Sequence, residues 1–227
     1  MIKRLIITGL VMTLVSNLAI CQTKKYSDHY YKRVNQFNSE PAVNSKSIVM
    51  LGDSLTEGGD WESYFRDILP EGYNIVNRGI VGDDAIGMYD RLEQIIPGQP
   101  YKIFLLVGIN DISHNITSDS VLIDINRVVK EIVTKSPNTK LYIQSLLPFN
   151  EPICKYKSLM GKTHTVRRVN KGLKRLSRRY NLKYINLYDR FKAPNSIQLD
   201  EQFTKDGLHI NKAGYTIWAN AIKKYIK

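Results

Sequence analysis

Cysteine is scarce in this chain of 227 residues, which argues against a scaffold held together by disulfides. The two cysteines are Cys21 and Cys154, and the first lies at the end of an apolar N-terminal segment. If that segment is removed, Cys154 has no partner within the chain. Histidine is also rare, and the four histidines do not show the ligand spacing of a zinc site. We therefore predict no metal and no other cofactor.

Acidic residues are too few to balance the basic ones, and the formal net charge is +12. Such an excess suits an acidic partner, such as nucleic acid, an anionic glycan or a phospholipid surface. Many basic residues fall between 163 and 180, where they alternate with apolar residues at helical spacing, as on the solvated face of a surface helix. Because no nucleic-acid-binding motif accompanies them, we expect no nucleic-acid partner and at most weak contact with a membrane surface.

Long apolar runs are confined to the N-terminus. Lys3 and Arg4 precede an apolar run over residues 5–18, which ends in Ala19-Ile20-Cys21. A basic start, an apolar stretch of this length and a small-residue end are typical of a secretory signal peptide, and the run is short for a membrane span. We therefore predict a signal peptide over residues 1–21 and export to the periplasm or the cell exterior. A lipid anchor on Cys21 is the alternative.

The segment after the predicted signal peptide, residues 22–46, is a polar lead-in. Asp28 is placed to cap a short helix that ends before Pro41. The apolar residues of this helix share one face: Tyr30, Val34 and Phe37. We expect the helix to pack on the outside of a single domain over residues 47–227, because no repeat or linker divides that part of the chain.

From residue 47 onward, strand patterns alternate with helical patterns. Short apolar runs predict strands at 48–51, 73–76, 101–107, 140–147 and 183–187. Helical spacing predicts helices near 60–69, 84–95, 118–135, 163–180 and 212–226. This alternation indicates an α/β fold, in which a mainly parallel sheet is covered by helices on both faces.

Polar stretches follow the predicted strands, where the loops of a parallel sheet meet at its carboxyl edge. The four stretches are Gly52-Asp53-Ser54, Asn77 to Asp83, Gly108-Ile109-Asn110-Asp111, and Asp206-Gly207-Leu208-His209. Each alone has a structural explanation, such as a glycine-rich turn or an asparagine bonded to its own backbone. Together they supply the parts of a site for acyl transfer.

A serine hydroxyl needs a base to become an effective nucleophile. Ser54 lies between a strand and a helix, and His209 is the candidate base. Asp206 precedes that histidine by three residues, so in a tight turn its carboxylate can orient the imidazole. Asp53 is then expected to hold the serine turn through backbone hydrogen bonds.

Attack on an ester builds negative charge on the carbonyl oxygen, which needs hydrogen-bond donors already in position. The candidate donors are the backbone N–H groups of Ser54 and Gly82 and the side-chain amide of Asn110. The Ser54 amide gains from a helix N-terminus, and the glycine has no side chain to block its N–H.

The four stretches, in this order, resemble the SGNH hydrolase superfamily of GDSL lipases and esterases. Gly52-Asp53-Ser54-Leu55 is similar to its block I, and the stretches containing Gly82, Asn110 and His209 are similar to blocks II, III and V. The resemblance implies Ser54 as nucleophile, His209 as base, Asp206 as orienting acid, and an oxyanion hole of Ser54, Gly82 and Asn110. It also implies a flavodoxin-like three-layer sandwich with five parallel strands in the order 2-1-3-4-5. Ile109 replaces the usual threonine of block III, which should affect packing only.

The style of the blocks is closest to the branch that resembles platelet-activating-factor acetylhydrolase subunits and bacterial carbohydrate esterases. We therefore expect an exported serine esterase that removes short acyl groups, especially acetyl, from a carbohydrate or small molecule through an acyl-enzyme. A lysophospholipase or acyl-thioesterase, or a sugar O-acyltransferase, is the alternative on the same residues. Activity should rise with pH through the histidine range, because a base must be neutral to act.

Overall fold

Apolar strands and amphipathic helices alternate along the chain in the computed structural model, which describes residues 26–227. The predicted signal peptide and Cys21 lie outside the described residues. The strands are β1 Ser47–Gly52, β2 Asn74–Gly79, β3 Lys102–Leu106, β4 Lys140–Gln144 and β5 Lys183–Ile185. The α-helices are α1 Asp28–Ser39, α2 Ser54–Glu57, α3 Trp61–Phe65, α4 Ala85–Asp90, α5 Ile109–Ser113, α6 Ser118–Lys135, α7 Thr163–Arg179, α8 Tyr188–Phe191 and α9 Lys212–Ile226.

The five strands form one sheet in the order β2-β1-β3-β4-β5, and every neighbouring pair is parallel. The predicted strand order is therefore confirmed. Gly52 at the end of β1 is level with Gly79 of β2 and with Leu106 of β3. Because three adjacent strands end at one level, the loops that follow them leave the sheet side by side.

The two faces of the sheet bury separate apolar clusters, which confirms the three-layer arrangement. On one face, α4, α6 and α7 pack on the sheet, with Met88, Val128 and Leu173 among the buried residues. On the other face, α3 and α9 meet through Trp61 and Trp218, whose rings lie edge to face at 5.0 Å. Within residues 26–227, no helix is both long enough and apolar enough to span a membrane.

Two predicted helices are shorter than expected. The pattern over 60–69 divides into α3 and a 3₁₀ turn at Arg66–Ile68, and the pattern over 84–95 divides into α4 and a 3₁₀ turn at Leu92–Gln94. The second break falls at Arg91, a fully buried residue whose guanidinium donates to the Asp83 carboxylate at 2.8 Å and to a β1 carbonyl at 3.1 Å. Helical spacing does not reveal a charged side chain that is drawn into the core in this way.

Helix α1 packs against the loop that follows β2. Tyr30 and Phe37, two of its predicted face residues, are buried together with Ile80. The predicted cap is wrong by one residue: the Ser27 hydroxyl, not the Asp28 side chain, accepts the backbone N–H of Tyr30 at 3.1 Å. A serine in extended conformation immediately before the helix is a favourable N-cap. The lead-in helix therefore lies beside the carboxyl edge of the sheet.

Candidate active site

A sharp turn presents Ser54 at the end of β1. Asp53 caps α2, since its Oδ1 accepts the Leu55 N–H at 3.0 Å, as expected from the sequence. A Cβ atom on Gly52 would lie 2.8 Å from the Leu106 carbonyl oxygen and still closer to the Thr56 side chain, so glycine is required there. Burial raises the pKa of the Asp53 carboxyl to about 7. Asp53 therefore holds the turn, and the Ser54 hydroxyl stays partly exposed.

The turn before α9 fixes Asp206 against His209. One oxygen of the carboxylate accepts the backbone N–H groups of Leu208 at 2.9 Å and His209 at 2.8 Å, and the other lies 2.8 Å from Nδ1 of the imidazole. Burial raises the pKa of the Asp206 carboxyl, but these hydrogen bonds outweigh it and lower the pKa to about 2. The carboxylate is therefore ionised throughout the physiological range.

The other imidazole nitrogen faces the serine. His209 Nε2 lies 3.0 Å from Ser54 Oγ, across 155 positions of sequence. A carboxylate at Nδ1 favours the tautomer with the proton on that nitrogen, which leaves Nε2 free to accept the serine proton. The three residues form one hydrogen-bonded chain, the geometry required for a nucleophile, a base and an orienting acid.

The other histidines and Cys154 take no part in this chain of hydrogen bonds. His29 pairs with Glu57 at 3.0 Å, and His114 lies 3.9 Å from an Asp84 oxygen. His164 is exposed at the start of α7. Burial raises the pKa of the Cys154 thiol, which disfavours the reactive thiolate.

The candidate oxyanion donors lie in neighbouring loops after β2 and β3. Gly82 is exposed with φ of 77°, and a Cβ atom there would meet no atom within 4 Å, so open space adjoins its backbone. The Asn110 side-chain amide donates to the Asp83 carbonyl at 2.8 Å, which links the two loops and leaves one amide hydrogen for a ligand. Ile109 is buried in the core, so the departure from the usual threonine changes packing, as expected.

Sequence reasoning missed Glu57, which holds the loop that contains Gly82. Its carboxylate accepts the Val81 N–H at 2.6 Å and lies 3.0 Å from Nε2 of His29 on α1. Arg33 adds a further contact at 3.5 Å. The signal in the sequence was a carboxylate one helical turn after the nucleophile, but its partners are distant in the chain. Glu57 thus ties the serine helix, the Gly82 loop and α1 together.

Sequence reasoning also missed Tyr156, which covers the acid and the base. Its hydroxyl lies 3.1 Å from His209 Nδ1 and 3.4 Å from an Asp206 oxygen, and its ring meets the imidazole edge to face at 5.4 Å. Because loop residues lack periodicity, no pattern pointed to this tyrosine. Its exposed ring also forms part of the surface that an incoming substrate meets.

Replacing Asn110 with alanine should lower kcat by about 10²- to 10³-fold with little change in KM, because an oxyanion donor acts mainly in the transition state. Steady-state kinetics with an aryl acetate measure both constants. Asn74→Ala is the matched control, since this exposed asparagine lies at the opposite end of β2. A rise in KM with unchanged kcat would show instead that Asn110 only binds the substrate.

Replacing Glu57 with alanine should lower kcat about tenfold, because the Val81 N–H loses a charged acceptor and the Gly82 loop is freed. Glu57→Gln retains an acceptor oxygen and should recover most of the loss. Glu62→Ala, at an exposed position on α3, is the control. Equal losses in the alanine and glutamine variants would mean that charge, and not loop position, is what matters.

Comparison with known proteins places this site in a family. Residues 50–217 match the GDSL-like lipase/acylhydrolase family, and this span runs from β1 into α9. All the candidate site residues fall within it: Ser54, Gly82, Asn110, Asp206 and His209.

Solved structures share the fold at low identity. A Streptococcus pneumoniae protein named for platelet activating factor has a TM-score of 0.77 and 24% identity, over 88% of this chain and 93% of that one. A GDSL-like lipase from Bacteroides thetaiotaomicron has a TM-score of 0.71 and 22% identity, over 87% and 96%. An acetylxylan esterase from Geobacillus stearothermophilus has a TM-score of 0.66 and 16% identity, over 82% and 96%.

One curated relative is similar over most of this chain. It is the N-acylneuraminate cytidylyltransferase of Escherichia coli, with 25% identity over 203 residues. The match covers 87% of this chain but only 44% of that protein's length. The family match and the fold lead to the same assignment. The chain belongs to the GDSL-like lipase/acylhydrolase family of carboxylic ester hydrolases.

Proposed function

We propose that the protein is a serine esterase that removes short acyl groups, especially acetyl, from a carbohydrate or a small alcohol. The observation that carries the proposal is the hydrogen-bonded chain from Asp206 through His209 to Ser54, with distances of 2.8 and 3.0 Å. A nucleophile, a base and an orienting acid in this geometry are suited to acyl transfer.

In the proposed reaction, His209 Nε2 takes the Ser54 proton as Oγ attacks the ester carbonyl. The N–H groups of Ser54 and Gly82 and the amide of Asn110 stabilise the resulting oxyanion. Collapse of this intermediate breaks the bond to the alcohol, which leaves with the proton from His209. Water then attacks the acyl-serine with the same base, which releases the carboxylic acid and restores the serine.

The surroundings of Ser54 favour a small acyl group. The His209 side chain is 35% exposed, so the base lies near the surface and not at the bottom of a tunnel. The residues beside Gly82 are polar or aromatic, with Asp83, Asp84 and His114 among them. A long aliphatic chain would gain little by burial against carboxylates and imidazoles.

A chain-length series of chromogenic esters tests the proposal. Wild type should hydrolyse acetate and propionate esters faster than octanoate and longer esters, and Ser54→Ala should abolish turnover of all of them. Absence of Ser54-dependent turnover would overturn the proposal, as would a strong preference for long chains.

One observation favours long-acyl substrates as a second candidate function, that of a lysophospholipase or acyl-thioesterase. Three exposed apolar side chains lie in the loop that follows β4, near the candidate base: Ile153, Tyr156 and Met160. Such a patch beside a catalytic site suits a lipid surface. Release of long fatty acids from lysophospholipid micelles, lost in Ser54→Ala, would favour this function over the first.

We also propose that the chain is exported, on the basis of the segment at 1–21. Cell fractionation should find the protein outside the cytoplasm, with its N-terminus at residue 22. Labelling with a radioactive fatty acid, lost in Cys21→Ser, would instead indicate the lipid-anchored form.

A further inference from the structure

A cavity of about 490 Å³ adjoins the candidate oxyanion loop. Val81, Gly82 and Asp83 line one side, so the cavity opens onto the backbone that would face the ester carbonyl. The opposite side comes from the N-terminal segment, through Tyr26 and His29 among others. A volume of this order suits one small ring or a few atoms beyond the ester.

The N-terminal wall is held rigidly in place. The rings of Tyr26 and Tyr30 stack with centroids 4.1 Å apart, and the Tyr30 hydroxyl donates to the Gly87 carbonyl at 2.8 Å. Arg33 donates to the Gly79 carbonyl at 3.2 Å, which fixes α1 to the end of β2. Since residues 28–39 precede the span that matches the family, this wall lies outside that span.

The lining of the cavity combines aromatic rings with hydrogen-bonding groups of both kinds. His29 and His114 are exposed imidazoles on opposite walls, with side-chain exposures of 43% and 58%. Asp84 supplies carboxylate oxygens close to the second imidazole. Sugar hydroxyls both donate and accept, and the flat apolar face of a sugar ring packs on an aromatic side chain, so this lining suits a sugar.

Charge indicates which kind of sugar. None of the described residues that line this cavity is a lysine or an arginine. The lysines and arginines gather instead around a separate cavity between α7 and β5, which Arg167, Lys171 and Lys192 help to line. An anionic group beside Asp84 would meet a negative field without a compensating cation, so a neutral ring is favoured.

We propose that the cavity between α1 and the Gly82 loop is a leaving-group subsite for a neutral sugar ring. The inference rests on the proposed esterase function, and it gives the lead-in helix a role in substrate selection. Hydroxyls of the sugar bind His114 and Asp84, and its apolar face lies on the tyrosine side of the cavity.

Two substrates and three variants test the subsite. The substrates are an acetylated neutral xylo-oligosaccharide and p-nitrophenyl acetate, whose alcohol portion carries no sugar hydroxyls. His114→Ala and Tyr26→Ala should each raise KM for the sugar ester about fivefold to tenfold, the effect of one lost hydrogen bond or ring contact, with p-nitrophenyl acetate within about twofold of wild type. His164→Ala, at an exposed histidine outside the cavity, should change neither.

The outcomes separate the subsite from the enzyme. If wild type shows no Ser54-dependent turnover of either ester, the esterase function itself fails. If wild type hydrolyses both but the two variants affect the esters equally, or affect neither, the subsite is overturned. A changed acyl-length preference in His114→Ala, with unaltered KM for the sugar ester, would assign the cavity to the acyl chain and also overturn it.

Discussion

Replacing His209 with alanine is expected to lower kcat by about 10⁵-fold or more, the largest effect of any change short of unfolding. His209 Nε2 is 3.0 Å from Ser54 Oγ, so its loss leaves the serine proton without an acceptor in the attack and the leaving alcohol without a donor. KM should change little, because the imidazole acts on protons and not on ground-state binding. Steady-state rates with p-nitrophenyl acetate measure the loss.

The control for this prediction is a second histidine and a second substitution. His164→Ala replaces an exposed histidine at the start of α7 and should leave kcat unchanged. The double variant Ser54→Ala, His209→Ala should be no slower than either single variant, because residues that act as one unit are not additive. Activity of His209→Ala within about tenfold of wild type would refute its role as base.

Replacing Asp206 with asparagine should lower kcat by about 10⁴-fold while the fold is retained. The amide oxygen can still accept the backbone N–H groups of Leu208 and His209, so the turn persists. Its NH₂ group, however, donates to His209 Nδ1 and stabilises the tautomer with the proton on Nε2. That tautomer cannot accept the proton of Ser54, which is why a nearly isosteric change is so costly.

The pH profile separates the two roles. The Asp206 pKa is held at about 2, so on acidification this carboxylate keeps its charge until long after a histidine has been protonated. The acid limb of kcat/KM should therefore reflect protonation of His209 alone. Its stabilising effect on folding is complete above about pH 4 and is lost as the pH falls through the lowered pKa. Asp67→Asn, at an exposed position, is the control, and equal losses of activity in the two variants would contradict the orienting role.

The fold was largely predictable because its strands are short and buried. All six residues of β1 and all five of β3 are buried, and such continuous apolar runs are the signal of a strand covered on both faces. The residues in the chain of hydrogen bonds were also predictable, since Ser54 and His209 lie at ends of elements where parallel sheets collect their polar groups.

The unpredicted features depend on contacts between distant parts of the chain. Glu57 is an ordinary helical residue until His29 and Val81 are brought to it from the two sides. Tyr156 lies in a loop without periodicity, so nothing local distinguishes it. The break of a predicted helix at Arg91 likewise follows from a buried ion pair with Asp83 that no helical pattern encodes.

The two halves of the site differ in what holds them. Ser54 and the Gly82 loop follow strand ends that are level within the sheet, so they can move only if the sheet itself gives way. The turn with His209 depends instead on bonds to a surface loop, from the Asn150 N–H to the Gly207 carbonyl at 2.7 Å and from the Lys155 N–H to the Asp206 carbonyl at 2.9 Å. Local opening of that loop would separate base from nucleophile while the sheet stays intact. Efforts to prolong the working life of the enzyme should therefore begin with residues 150–155 and leave the core as it is.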